Sequence, residues 1–277
     1  MILPNNNKKR IISLLKDNKR IDSRNNFDFR EIKIETGISN NAEGTARVKI
    51  GNTEVIAGIK LDTQTPYTDH EDEGTMVTGM EYSPICSERY EPGPPKMNAI
   101  ETARVVDRGI RESGFIDWKK LCIIKKEKVW SIIIDLYCIN DDGNVLDAAA
   151  LAAVAALKVT RFPEIDENNK VKYGMWTDKK LPLNKHSPLT ITFYKIGDNI
   201  LLDPNRSEED ASDARLTLSL SQPHKEIIIN SMQKGEITPI TGPELLSIIN
   251  ESEKAFKTIF PDIISKINEI LTYETEN

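Results

Sequence analysis

The chain has 277 residues, 39% of them hydrophobic, with 37 Lys+Arg against 43 Asp+Glu and a formal charge of −6. That composition fits a soluble globular protein with room for one large or two ordinary cores, and it excludes polyanion binding driven by net charge, so any phosphate contact must be local. No apolar run approaches the ~20 residues of a membrane span, and the Asn/Lys-rich start lacks a signal-peptide apolar segment, so a cytoplasmic protein is expected.

Residues 8 to 18 have helical spacing, with Ile11, Ile12, Leu14 and Leu15 apolar. Strands are expected over Ile32-Lys-Ile-Glu-Thr-Gly37, Gly44-Thr-Ala-Arg-Val-Lys-Ile50 and residues 53 to 60, the last two joined by a Gly51-Asn52 hairpin turn. Residues 76 to 83 read as a fourth strand, and Glu91-Pro-Gly-Pro-Pro95 breaks the chain before a helix. In that helix Arg104, Arg108 and Arg111 fall at spacings of four and three, on one stripe beside an apolar stripe of Ile100, Ala103, Val106 and Ile110. Three guanidinium groups in line make a polyanion contact. The plainer reading is a solvated flank paired with Glu101, Asp107 and Glu112.

Residues 129 to 139 form a long β-branched run, expected as a central strand covered on both faces. Asp141-Asp-Gly-Asn then leads into an Ala-rich helix, residues 145 to 157, apolar nearly all round and therefore buried, with Asp147 placed near the positive end of its dipole. Residues 161 to 182 are a polar excursion of surface-hairpin type. Strand patterns resume at residues 189 to 196, 200 to 203, 215 to 220 and 226 to 232. A last helix runs from Pro243 to about residue 271, with Pro261 expected to kink or split it. Two blocks of strands followed by helices indicate an α+β architecture with a boundary near residue 188. The expected division is a helical extension over residues 1–24, a first domain over 25–188 and a second over 189–277.

Cys86, Cys122 and Cys138 are too scattered for a disulfide framework or a zinc site and read as small core residues. His70, His186 and His224 are isolated from metal-like partners, so no metal or cofactor is expected. Tyr67 and Tyr90 have the rings to stack on bases, with a core or hairpin role the simpler reading for each.

Several ordered segments carry a resemblance: Arg20-Ile-Asp-Ser-Arg24 with Asp28-Phe-Arg30, Gly44-Thr-Ala-Arg-Val-Lys-Ile-Gly-Asn-Thr53, Glu91-Pro-Gly-Pro-Pro95, Ala103-Arg-Val-Val-Asp-Arg108 and Gly143-Asn-Val-Leu-Asp147. Over residues 8 to 270 the chain resembles the ribonuclease PH family, nearest its non-catalytic ring members in the archaeal exosome. The resemblance implies a two-part α+β fold of mixed sheets packed on helices. It also implies a heterohexameric ring with a catalytic sister subunit, exosome cap proteins on that ring, and phosphorolytic 3′-to-5′ degradation of RNA. Arg104 and Arg108 match positions where the family contacts RNA; Arg111 matches less firmly, and an internal salt bridge is the alternative for it.

Two departures from the family bear on catalysis. Active members place a Gly-Ser/Thr-Arg phosphate loop at the start of the buried helix; here Leu146 stands at the arginine position and Asp147 is expected to repel phosphate. Active members also carry two aspartates six residues apart; here Asp203 is retained and Glu209 stands at the second position. Carboxylates in a turn after a strand are commonly solvated or cap a helix, which favours a structural role for this pair. The expectation is a non-catalytic, RNA-positioning subunit. The alternatives are an independently active phosphorolytic exoribonuclease using Asp203 and Glu209, or a pure ring scaffold whose arginines pair only with protein carboxylates.

Overall fold

A computed structural model describes residues 5–17, 19–167 and 169–276. Its first sheet begins as a run of hairpins. β1 (Ile32–Thr36), β2 (Gly44–Ile50) and β3 (Thr53–Gln64) are antiparallel neighbours, and Ile50 faces Thr53 across the Gly51-Asn52 turn, with Gly51 at φ +59°. β6 (Lys128–Asn140) pairs antiparallel with β3, and β4 (Thr75–Tyr82) lies parallel on the other side of β6. A parallel pair requires a crossover, and α2 (Met97–Arg111) lies within it. Short β5 (Cys122–Ile124) pairs with the start of β6.

Alternation along these strands sends Ala46, Val48 and Ile50, Val55, Ala57, Ile59 and Leu61, and Ile132, Ile134, Leu136 and Cys138 to one face, all of them buried. That face packs on α3 (Val145–Val159), whose alanines let the sheet come close: a Cβ at Gly44 would lie 2.6 Å from the Ala156 carbonyl oxygen. Fully burying each Leu, Ile or Val here is worth ~1.5–3 kcal/mol. The expectation that the central strand is covered on both faces fails. Ile133, Asp135 and Tyr137 point away from the helices and stay partly open, because α2 and α3 lie on one side of this sheet only.

The second sheet has the order β10 (Asn199–Leu202), β9 (Leu189–Ile196), β11 (Ala214–Ser221), β12 (Ile228–Gly235). Its polar face meets the helices: Thr192 bonds to Asp147 of α3, and Arg215 pairs with Glu101 of α2. Its apolar face, with Leu189, Ile191 and Phe193, meets α5 (Gly242–Glu276), where Lys195 pairs with Glu244 at 2.6 Å. The two helices are thus sandwiched between two sheets. That breadth of burial departs from the expected apolar stripe: α2 buries Ala99, Thr102, Ala103, Val105, Val106, Gly109 and Ile110, while Ile100 is 46% exposed.

α1 (Asn5–Lys16) starts earlier than residue 8, and residue 18 lies outside the described residues. Its Ile11 and Leu15 pack on Ile196, Leu201 and Ala211, so this N-terminal helix belongs to the second sheet's core. The polar excursion is a two-stranded hairpin of β7 (Arg161–Ile165) and β8 (Val171–Lys180). Pro261 lies inside an unbroken α5, whose turns on both sides are held by buried Phe256, Ile263 and Ile267. A short α4 (Arg206–Ala211), not expected from the sequence, follows β10.

Candidate functional site

α2 carries the arginines along its flank beside β12, but not as one set. Arg104 is exposed and makes no ion pair among the described residues. Arg108 is 65% exposed at the side chain and reaches Glu112 at only 3.5 Å, a pairing worth little at a solvated surface. The two border a groove of about 420 Å³ with Asn230, Ser231, Met232 and Gln233. Arg111 is turned elsewhere. Its Nε and one terminal nitrogen donate to the Asp107 carboxylate at 3.0 and 2.9 Å, that same nitrogen donates to the Met76 carbonyl, and the guanidinium lies 5.6 Å from the Trp118 ring centre. The stripe of three is therefore two open guanidinium groups and one that is held internally through Nε and one terminal nitrogen. Glu101, a candidate partner for the stripe, is taken by Arg215 and Gln233.

The start of α3 is formed by Gly143 at φ +83° and Asn144 at φ +56°. A Cβ at Gly143 would lie 2.6–2.8 Å from the backbone of residues 204 to 206, so this turn sits directly against the one after β10. Leu146 is buried (4% exposed). Asp147 contradicts its expected role, because its carboxylate faces inward. It accepts hydrogen bonds from the Thr192 N–H (3.0 Å), the Thr192 hydroxyl (2.6 Å) and the Asn144 side-chain amide (3.0 Å). Burial raises its pKa to about 7, against the lowering effect of those donors. The carboxylate at the mouth of α3 is Glu209, whose Oε2 accepts the Asn144 N–H at 2.8 Å. The first turn of a helix is a ready anion site, and here the chain's own side chain sits at it.

Asp203 is fully buried, at φ +47°, a left-handed conformation that aspartate tolerates better than most residues. Arg30 grips its carboxylate in a fork, Nε at 2.9 Å and a terminal nitrogen at 2.8 Å, and donates its backbone N–H as well. Arg24 and the Asn144 amide complete the set at 3.0 and 2.9 Å. Arg20 pairs with Glu208, both side chains fully buried, and donates to the Leu202 and Asp203 carbonyls. Burial opposes the charge on Arg30, but Asp203, Asp142 and Glu209 hold its pKa above the usual value. Asp203 and Glu209 therefore do not form an open carboxylate pair. One is clamped by arginines and the other caps a helix while facing Arg206 at 3.6 Å.

The Arg20-to-Arg30 motif was legible as a resemblance but not as a clamp, since its partners lie more than 170 residues away. Asn205 and Glu208 form a capping box on α4 that the spacing Asn-Arg-Ser-Glu carries openly. Tyr90 stacks on Tyr82 at 4.6 Å and donates its hydroxyl to Asp141, a structural role, while Tyr67 is 62% exposed.

Two models of the 3′ exoribonuclease family match the chain, domain 1 over residues 28–163 and domain 2 over residues 186–255. The exosome complex component Rrp42 of Methanosarcina acetivorans is 45% identical over 240 residues, 87% of this chain and 86% of that protein. The Thermococcus kodakarensis component of the same name is 42% identical over 259 residues, 93% and 94% of the two chains. Among solved structures, a chain of the Archaeoglobus fulgidus exosome with RNA bound to the active site matches with a TM-score of 0.82 and 37% identity, over 91% of this chain and 95% of that one.

Proposed function

The chain belongs to the 3′ exoribonuclease family of ribonuclease PH type, and on that premise we propose that it is the non-catalytic member of an archaeal exosome ring, supporting the active site of a catalytic sister subunit and holding RNA for 3′-to-5′ phosphorolysis. The observation that carries this reading is the Glu209 carboxylate on the Asn144 N–H, with Leu146 where active members have arginine. A phosphorolytic enzyme must bind inorganic phosphate beside the scissile bond, and here an internal anion occupies the helix start while no arginine from residue 146 can assist it.

Arg104 and Arg108 are the residues we assign to RNA. Planar, permanently charged forks suit backbone phosphates and take no account of base sequence, which a processive nuclease requires. Arg111 is left out because Asp107 and the Met76 carbonyl already hold its Nε and one terminal nitrogen and turn it away from the groove. We take residues 25–188 and 189–277 as the two ribonuclease PH-like halves, and place the protein in the cytoplasm; no helix among the described residues is long and apolar enough to cross a membrane. Cap proteins would sit on the assembled ring.

Independent catalysis is disfavoured by the burial of Asp203 under Arg24 and Arg30. A pure scaffold is disfavoured by Arg104, which lacks a carboxylate partner among the described residues. The test is nucleoside diphosphate release from RNA and phosphate by this chain alone, by the sister alone and by the pair. Activity that needs the pair is expected; release by this chain alone overturns the proposal.

A further inference from the structure

The open face of the first sheet is not flat. Register aligns Gly58 of β3, Asp135 of β6 and Gly79 of β4 in one column across the strands. Ile56, Tyr137 and Glu81 line the column on one side, and Lys60, Ile133 and Val77 the column on the other. With no side chain at either glycine, the middle column is the floor of a trough: the Asp135 carboxylate leans over Gly79, where a Cβ would meet its Oδ1 at 3.2 Å, and the space over Gly58 is open. The walls are largely apolar and open, Val77 at 54% and Tyr137 at 42% exposure.

Asp135 accepts no hydrogen bond and makes no ion pair among the described residues, and burial alone raises its pKa. Lys60, the cation in the neighbouring column, is held by Glu43 at 2.8 Å and by the Asn41 carbonyl at 3.2 Å, with the Tyr173 ring beneath it. A half-sunk carboxylate between apolar walls loses hydration without gaining a partner. Glycine inside a strand weakens it and leaves room for another body to approach closely. Two such glycines flanking that carboxylate form a slot with an anion at its base.

We infer that this face seats the neighbouring ring subunit, whose arginine or lysine side chain enters the Gly58–Gly79 trough and pairs with Asp135 between the apolar walls. The inference rests on the ring reading above and adds the surface and the contact chemistry. Charge selects the occupant. RNA phosphates would meet Asp135 and Glu81, and a second copy of this chain docked by two-fold symmetry would bring like carboxylates together.

Gly58→Val and Asp135→Asn test it, with affinity for the purified sister subunit measured by titration and the melting temperature of each isolated variant as the folding control. A Cβ at Gly58 meets nothing within 4 Å and valine suits a strand, so Gly58→Val should fold normally while filling the trough. Asp135→Asn removes an unpaired charge and should melt no lower than wild type. Both should weaken binding to the sister about tenfold or more. Unchanged affinity in both variants overturns the inference while leaving the ring reading intact. Loss of RNA binding with assembly unaffected overturns it, as does a wild-type homodimer that either substitution disperses. Failure of the wild-type chain to bind the sister overturns both readings.

Discussion

The Glu209 carboxylate accepts the Asn144 N–H at 2.8 Å, so the first turn of α3 is closed by a side chain from α4, 65 residues along the chain. This contact satisfies an otherwise unpaired donor of the helix and places a negative charge at its positive end. Removing it should have two separable effects. Glu209→Ala should lower stability by about 1 kcal/mol, the usual cost of losing a cap, read by urea unfolding. It should also make the melting temperature respond to millimolar inorganic phosphate more than wild type does, since a ligand that binds only the folded state stabilises it. Nucleoside diphosphate release by the isolated variant is not expected, because residue 146 remains leucine. A phosphate response equal to that of wild type would show that Glu209 does not block the anion position.

Asp203 holds two arginines together. Asp203→Ala leaves Arg24 and Arg30 without their shared carboxylate, side chains only 15% and 9% exposed. Breaking a buried ion pair from one side costs about 3–5 kcal/mol. Equilibrium unfolding should report a loss of that order, against less than 1 kcal/mol for an exposed control such as Glu253→Ala.

The exposed arginines should behave differently from the engaged one. Arg104→Glu with Arg108→Glu should weaken RNA binding by the assembled ring at least tenfold, and reduce the slope of log affinity against log salt by about 1.4, the loss expected for two phosphate contacts to a single strand. Assembly, measured by mass, should be unchanged. Arg111→Ala should instead lower the melting temperature with little effect on the salt slope. An unchanged slope in the double variant favours the scaffold reading.

Asp147 gives the protein a pH signature. Its folded pKa of about 7 lies above the ordinary 3.8, so between those values the folded state holds a proton that the unfolded state releases. Its contribution to stability is fully present below pH 3.8, declines as the pH rises and is gone above about 7. Asp147→Asn should remove this decline. Unfolding free energies of wild type and variant at pH 5 and pH 8 provide the check, and equal pH dependence in the two proteins would refute the assignment.

Local rules carried much of the architecture. The Gly51-Asn52 hairpin, the buried alanine helix and the four strands of the second sheet follow from residue type and spacing over a few positions, which is where side-chain periodicity acts. The spacing of Ile100 fits an apolar stripe, yet its side chain is exposed, because α2 is wedged between two sheets and its buried faces are chosen by both. The six residues of α4 are too few to show a helical period, although its capping box is present in the sequence.

By itself the sequence determined the family resemblance, the leucine at residue 146 in place of an arginine, and the availability of three guanidinium groups on one helix, since each depends only on residue identity and on local geometry. Only the tertiary structure decided that Arg111 is occupied while Arg104 and Arg108 are open, that Asp147 turns inward to Thr192, and that Glu209 is the anion at the start of α3. The reason is physical. The direction and charge environment of a side chain are set by groups that packing brings to within 3 Å from distant parts of the chain, and no local periodicity encodes those encounters.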